Sequence, residues 1–144
     1  MKTKIRIEKL YSDYKEKINY VIVGGFTTVV SLASYYLCVL TFLNPSNPVQ
    51  LQVANIISWI CAVTFAFFTN RKYVFESTNV NILNEAFKFV GARVTTLIID
   101  MLCMAVFVSV FKLNDKVSKI LVQIIVFLLN YIFSKFFVFK QKND

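Results

Sequence analysis

Residues 18–43 read INYVIVGGFTTVVSLASYYLCVLTFL, an apolar run longer than the ~20 residues a helix needs to cross hydrocarbon. Three more runs of the same kind follow, at roughly 51–69, 87–111 and 117–139. Inside hydrocarbon every backbone polar group must be paired internally, so a spanning segment is a helix or a strand of a closed barrel. Barrel strands alternate and are only ~10 residues long. These runs are about twice that length and do not alternate, so the sequence predicts an all-α integral membrane protein with four transmembrane helices. Composition agrees: the 144 residues are 57% hydrophobic and 17% charged, and mean hydropathy is +0.61. A soluble domain is about 45–50% apolar and about 25% charged. A cytosolic enzyme, a secreted disulfide module and a disordered tail are excluded, and one membrane domain takes up the length.

The first run follows a basic stretch, and Ser31-Leu32-Ala33 has the small residues of a cleavage site. The run continues past that point, so it is expected to stay as an uncleaved anchor. Charge orients the spans. Lys2, Lys4, Arg6, Lys9, Lys15 and Lys17 precede the first span; Arg71, Lys72, Lys88 and Arg93 surround the second connection; Lys135, Lys140 and Lys142 end the chain. Only Lys112, Lys116 and Lys119 fall on the other side, thirteen against three. Both termini are expected to be cytoplasmic. The net charge of +8 is then a topology signal with attraction to anionic lipid, and needs no nucleic-acid partner. Ile7, Leu10, Tyr11, Tyr14 and Ile18 recur at helical spacing with Lys9, Asp13 and Lys17 elsewhere on the wheel, which predicts an N-terminal amphipathic interfacial helix. The expected organisation is an interfacial tail at 1–17, a four-span domain at 18–140 and a cytoplasmic tail at 141–144.

Much chemistry is missing. There is no histidine, which removes the commonest general base and the usual zinc ligand. Cys38, Cys61 and Cys103 all lie in apolar runs with no C-x-x-C pair, and read as structural thiols rather than a disulfide framework or metal site. Three glycines without a G-x-x-x-x-G-K-[ST] run leave no phosphate-cradling loop. No catalytic residue, cofactor or metal is expected, and the chain does not read as an enzyme.

The two halves resemble each other. Val23-Gly24-Gly25-Phe26-Thr27-Thr28 in the first span matches Val90-Gly91-Ala92-Arg93-Val94-Thr95 in the third. The second span ends Asn70-Arg71-Lys72-Tyr73-Val74-Phe75, and the fourth ends Asn130-Tyr131-Ile132-Phe133-Ser134-Lys135-Phe136-Phe137-Val138-Phe139. A basic residue is followed four positions later by Phe in both. Each half holds two spans, so both enter the membrane the same way, as two parallel two-helix repeats; transporters often place a substrate between such repeats.

These residues resemble the GtrA family over residues ~18 to 140, with the tip of the second span the most specific element. Thr27 and Ser31 depart from the pattern, standing where members often carry Asn. The resemblance implies a small four-span protein of the bacterial cytoplasmic membrane that flips a polyprenyl-phosphate-linked sugar to the outer leaflet. That sugar would glycosylate envelope polymers such as teichoic acid or O-antigen. The implied partners are the lipid-linked sugar, membrane lipid, glycosyltransferases of the same pathway and a further copy of the chain.

On that reading the cytoplasmic tips are the leading site. Arg71, Lys72 and Lys135 can approach a lipid phosphate, the arginine as a bidentate fork and the lysines as point charges. Asn70 and Ser134 can bond a sugar hydroxyl or the phosphate, and Phe75, Phe139, Tyr73 and Tyr131 can pack on the prenyl chain or the sugar. The bland alternative is an ordinary positive-inside and aromatic-belt pattern. Deeper, Arg93, Thr96 and Asp100 share one face of the third helix, and Lys119, Gln123, Asn130 and Ser134 share one face of the fourth. The stripes can face each other as a polar track, with Arg93 and Lys119 meeting the phosphate; alternatively Arg93 and Asp100 satisfy one another two turns apart. Gly24, Thr28, Ser31 and Tyr35, and Asn55, Ser58, Ala62 and Ala66, read as small-residue packing stripes. Two rivals remain: a small proton-coupled multidrug exporter, for which Asp100 would have to replace the missing carboxylate of the first span, and a non-transporting membrane partner of a glycosyltransferase.

Overall fold

Three asparagines start three of the helices. In a computed structural model, which describes residues 2–44 and 46–140 and the side chains of 11, 12, 14–44, 46–114 and 116–140, helix α1 spans Lys2–Thr41, α2 Pro48–Thr69, α3 Ile82–Ala105 and α4 Asp115–Phe133. Asn47 Oδ1 accepts from the Val49 N–H at 2.9 Å, with Pro48 at the first helical position. Asn81 Oδ1 accepts from the Asn84 N–H at 3.1 Å and Asn114 Oδ1 from the Lys116 N–H at 2.9 Å. Each cap satisfies a backbone donor that has no partner within its helix. The Asn81 cap also explains why α3 begins five residues before the apolar run at 87: its first turn is polar, but capped. No strand occurs among the described residues.

Among the described residues four helical stretches are long and apolar enough to cross a membrane: Tyr14–Thr41, Pro48–Val74, Ile82–Val110 and Lys116–Val138. The tail expected as a separate interfacial helix is continuous with α1, whose 40 residues would measure about 60 Å, twice the ~30 Å hydrocarbon thickness. The side chains of Ile7 and Leu10, on which its apolar stripe rests, lie outside the described residues, as does the tail 141–144.

The chain divides into two units, residues 1–76 and 77–144, and each is a helical hairpin. In the first, Ala54, Ser58, Ala62 and Ala66 form a buried stripe on α2 at a spacing of four, with Tyr20, Val23 and Cys38 buried on α1. Small side chains let two backbones approach, which is how helices associate without a hydrophobic driving force in lipid. Asn55, expected in this stripe, is exposed, and Ala54 takes its place. In the second hairpin Phe89, Thr96, Ser118 and Val122 are buried.

Three of the helices end in the same way. Single π turns cover Asn70–Val74, Val106–Val110 and Ser134–Val138, closed by Phe75 N–H to Asn70 O at 2.9 Å, Phe111 N–H to Val106 O at 3.1 Å and Phe139 N–H to Ser134 O at 2.8 Å. Glu76 and Lys112 follow two of these turns with φ of 46° and 55°. This left-handed conformation costs an L-residue roughly 1–2 kcal/mol and a glycine almost nothing. Lys112→Gly should therefore stabilise the protein by about 1 kcal/mol, measured as a higher melting temperature in detergent. At Glu76 the same change gains less, because Lys15 Nζ lies 2.7 Å from the Glu76 carboxylate, an exposed pair that solvent screens.

Candidate functional site

The π turns explain the spacing repeated between the halves. An i→i+5 closure takes its acceptor from Asn70 or Ser134 and its donor from Phe75 or Phe139, which puts a basic residue directly after the acceptor and four before the phenylalanine. Such turns are rare and frequently occur at functional sites.

At the first tip Asn70 is 2% exposed. Its Nδ2 donates to the Ala66 carbonyl at 2.7 Å, while Oδ1 is buried without a hydrogen-bond partner. Arg71 is half-buried, and Lys72 is exposed with its ammonium 5.0 Å from the centre of the Tyr73 ring. The Asn19 amide crosses from α1 to donate to the Tyr73 carbonyl at 2.9 Å. At the second tip Ser134 is buried, and the half-buried Lys135 places Nζ 3.4 Å from the Tyr131 hydroxyl. The rings of Phe75 and Phe139, expected to pack on lipid or sugar, are turned inward instead: Phe75 lies 6.4 Å from Tyr20 and Phe139 5.9 Å from Phe89. Closing a π turn does not by itself turn a ring inward, since Phe111 closes the Val106–Val110 turn and is exposed; Phe75 and Phe139 are buried by the rings they meet on the facing helix. Tyr73, by contrast, stays at the surface.

These inward rings also register the halves. Tyr20 matches Phe89, and Val23 is buried where the glycine-based alignment pairs it with the exposed Val90. The packing repeat in α1 and α3 is thus two residues out of step with the glycine repeat. A Cβ at Gly25 or Gly91 would meet nothing within 4 Å among the described residues, so close packing does not require glycine at these two positions.

Within the second hairpin the two polar stripes do face each other. The Thr96 hydroxyl donates to Asn130 Oδ1 at 2.8 Å, and Lys119 Nζ lies 2.9 and 3.1 Å from the two oxygens of Asp100. Asp100 is therefore paired with Lys119 and not with Arg93, whose guanidinium stacks over the Phe89 ring at 4.8 Å. Helical geometry accounts for this: seven residues along one helix is about 10 Å, whereas a long lysine reaches across to the facing helix. Gln123 is exposed, next to this pair on α4 but not joined to it. Two contributors have weak sequence signals. Phe89 is the buried ring that carries both Arg93 and Phe139. Glu85 is buried in the first turn of α3 and accepts from the Ser77 hydroxyl; an acidic residue shortly after a capping asparagine is its only cue.

Comparison with known proteins adds the following. Residues 19–139 match the family described as the GtrA/DPMS transmembrane domain. The chain is 40% identical over 129 residues to the cell wall teichoic acid glycosylation protein GtcA of Listeria monocytogenes serovar 1/2a, covering 86% of this chain and 84% of the relative. The Listeria innocua serovar 6a protein of the same name is equally similar, 40% over 129 residues, with the same coverage. The membrane protein YwcD of Bacillus subtilis is 36% identical over 128 residues, covering 87% of this chain and 97% of the relative. No solved structure matches.

Proposed function

The chain belongs to the GtrA family and is a multi-pass bacterial membrane protein, and from that premise we propose that it moves a polyprenyl-phosphate-linked monosaccharide from the cytoplasmic to the outer leaflet of the cytoplasmic membrane. There the sugar serves glycosylation of a cell wall polymer such as teichoic acid, the process for which its Listeria relatives are named. The thirteen-to-three distribution of basic residues supports cytoplasmic termini.

The physical task is to carry a phosphate and a sugar through ~30 Å of oil. The isoprenoid tail never leaves the bilayer; only the head needs a polar path, open sideways, which four helices can offer without enclosing an aqueous cavity. The observation that carries the reading is the polar ladder in the second hairpin, Thr96 with Asn130 and Asp100 with Lys119. Ionisable side chains inside a span are costly to place, and they mark substrate paths. The tips, with Arg71, Lys72 and Lys135, receive the phosphate by charge. Arg93, Asn130, Asp100 and Lys119 then offer successive partners, with Gln123 and Ser134 on the same helix face. With no nucleotide-binding motif in the sequence, transport runs downhill, drawn by removal of the sugar outside.

Purified protein in vesicles with a fluorescent polyprenyl-phosphate sugar is the test. The labelled lipid should reach the outer leaflet at least ~10-fold faster than in protein-free vesicles; equal rates refute the proposal, and would leave a non-transporting partner of a glycosyltransferase. Asn70→Leu sharpens the test. Its Oδ1 is a buried acceptor without a partner, and an unsatisfied buried group costs about 1–3 kcal/mol. Ala66 O keeps the Asn70 backbone N–H as a donor after the change. Loss of the Nδ2 bond to Ala66 O offsets the gain from removing that oxygen, so the variant should melt at about the parent's temperature while transport falls at least ~10-fold, because a buried amide oxygen with no partner among the described residues is retained for the substrate.

A further inference from the structure

The first hairpin carries a sideways-open groove of about 540 Å³ between α1 and α2, within the roughly 300–1,000 Å³ of ligand sites. It is graded along its length. At the tip end lie the Asn19 amide, the Thr69 hydroxyl and Tyr73; one to two turns deeper lie Ile22, Phe26 and Phe65. From Asn19 to Phe26 is about 10 Å along the helix. Lys72 does not line the groove but adjoins Tyr73 at its polar end, its ammonium 5.0 Å from the centre of that ring and in no ion pair among the described residues. From Ile18 to Asn70 this hairpin has no charged side chain at all, so the groove below its mouth suits hydrocarbon and not a head group.

The second hairpin is built otherwise. Aligned by their π turns, Phe133 and Phe137 stand where Thr69 and Tyr73 stand, and their rings contact edge-on with centroids 5.8 Å apart. Aromatic rings fill there the side of the helix that a small hydroxyl leaves open in the first hairpin. Arg93, Asp100 and Lys119 lie within the spans of the second hairpin, whereas the charges in the spans of the first, Lys15, Glu16, Lys17, Arg71 and Lys72, stand at the span ends.

We propose that the α1/α2 groove seats the isoprenoid chain of a polyprenyl phosphate, with the phosphate held at Lys72. One groove bounded by two helices takes one chain, which fits a single-chain polyprenyl phosphate and not a two-chain glycerophospholipid; the exposed cation at a neutral polar mouth complements a phosphate. The isoprenoid identity rests on the proposed function; the groove and its cation do not.

Photolabelling of the full-length protein tests this, in phosphatidylcholine vesicles with a polyprenyl phosphate carrying a diazirine on its isoprenoid chain about 10 Å from the phosphate, the depth of Phe26 below Asn19. Adducts should map to Ile22, Phe26 or Phe65. Filling the groove with Ile22→Trp should reduce labelling about tenfold at unchanged melting temperature, and Lys72→Gln should raise the lipid concentration for half-maximal labelling about fivefold, the scale of one charge-assisted contact. Lys72 is exposed, so its variant reports even where the tryptophan disturbs folding. Adducts confined to other residues, labelling indifferent to both variants, or equal competition by phosphatidylglycerol each overturn the assignment. Labelling as expected in a protein that does not accelerate flipping leaves the groove standing and refutes translocation; accelerated flipping with adducts elsewhere does the reverse.

Discussion

Phe89→Ala should lower stability by about 3 kcal/mol, while Phe87→Ala, two residues away on the same helix, should change it by less than about 0.5 kcal/mol. Phe89 is fully buried and Phe87 is 77% exposed. Truncating a buried phenylalanine costs about 3–5 kcal/mol, part of it transfer from water and part the cavity left behind. In a bilayer the transfer share shrinks, because the unfolded helices already lie in hydrocarbon, and lost packing remains. That puts the expected value at the low end. The ring touches two other groups, Phe139 at 5.9 Å and the Arg93 guanidinium at 4.8 Å. Its loss frees the ring of Phe139, whose N–H closes the Ser134–Val138 turn, and the Arg93 cation stacked on Phe89. Transport should therefore fall along with stability. Thermal melts in detergent and flipping rates for the two variants check both parts; equal melting temperatures for Phe87→Ala and Phe89→Ala would refute the packing of this hairpin.

The spans are legible from sequence because hydrocarbon leaves so few choices for the backbone, and the four helical stretches match the four apolar runs. Their ends are less so. The start of α3 is hidden because Asn84, Glu85 and Lys88 look like loop, whereas one cap at Asn81 and burial of Glu85 are enough to hold them in a helix. Helix faces were readable where the spacing is strict. Asp100 and Lys119, and Thr96 and Asn130, lie on the stripes that periodicity assigns. Which of two reachable cations Asp100 chooses was not readable, since that depends on how the facing helix is rotated. The tips were partly legible. A basic residue four before a phenylalanine marks both, but periodicity counted at 3.6 residues per turn cannot anticipate an i→i+5 closure, nor the facing rings of Tyr20 and Phe89 against which Phe75 and Phe139 pack.

Neutralising the two ends of the Asp100–Lys119 pair should have unequal effects. The Asp100 side chain is 16% exposed and that of Lys119 49%. Lys119→Met strands a carboxylate that has no way out of the hairpin, and a lone Asp at mid-span costs about 2.5–3.5 kcal/mol; a loss of about 3 kcal/mol is expected. Asp100→Asn strands an ammonium near the start of α4, which can extend to the interface on its four-carbon stem, so about 1 kcal/mol is expected. Removing both charges with Asp100→Leu and Lys119→Met together should restore stability to within about 1 kcal/mol of the parent, since an apolar pair replaces an ion pair at little net cost. Transport separates structure from function. If the pair exists to offer an approaching phosphate a cation in exchange for its carboxylate, the double variant is stable and inactive. Full cell wall glycosylation in cells carrying only that variant would remove the ladder from the route and leave it a helix-packing device.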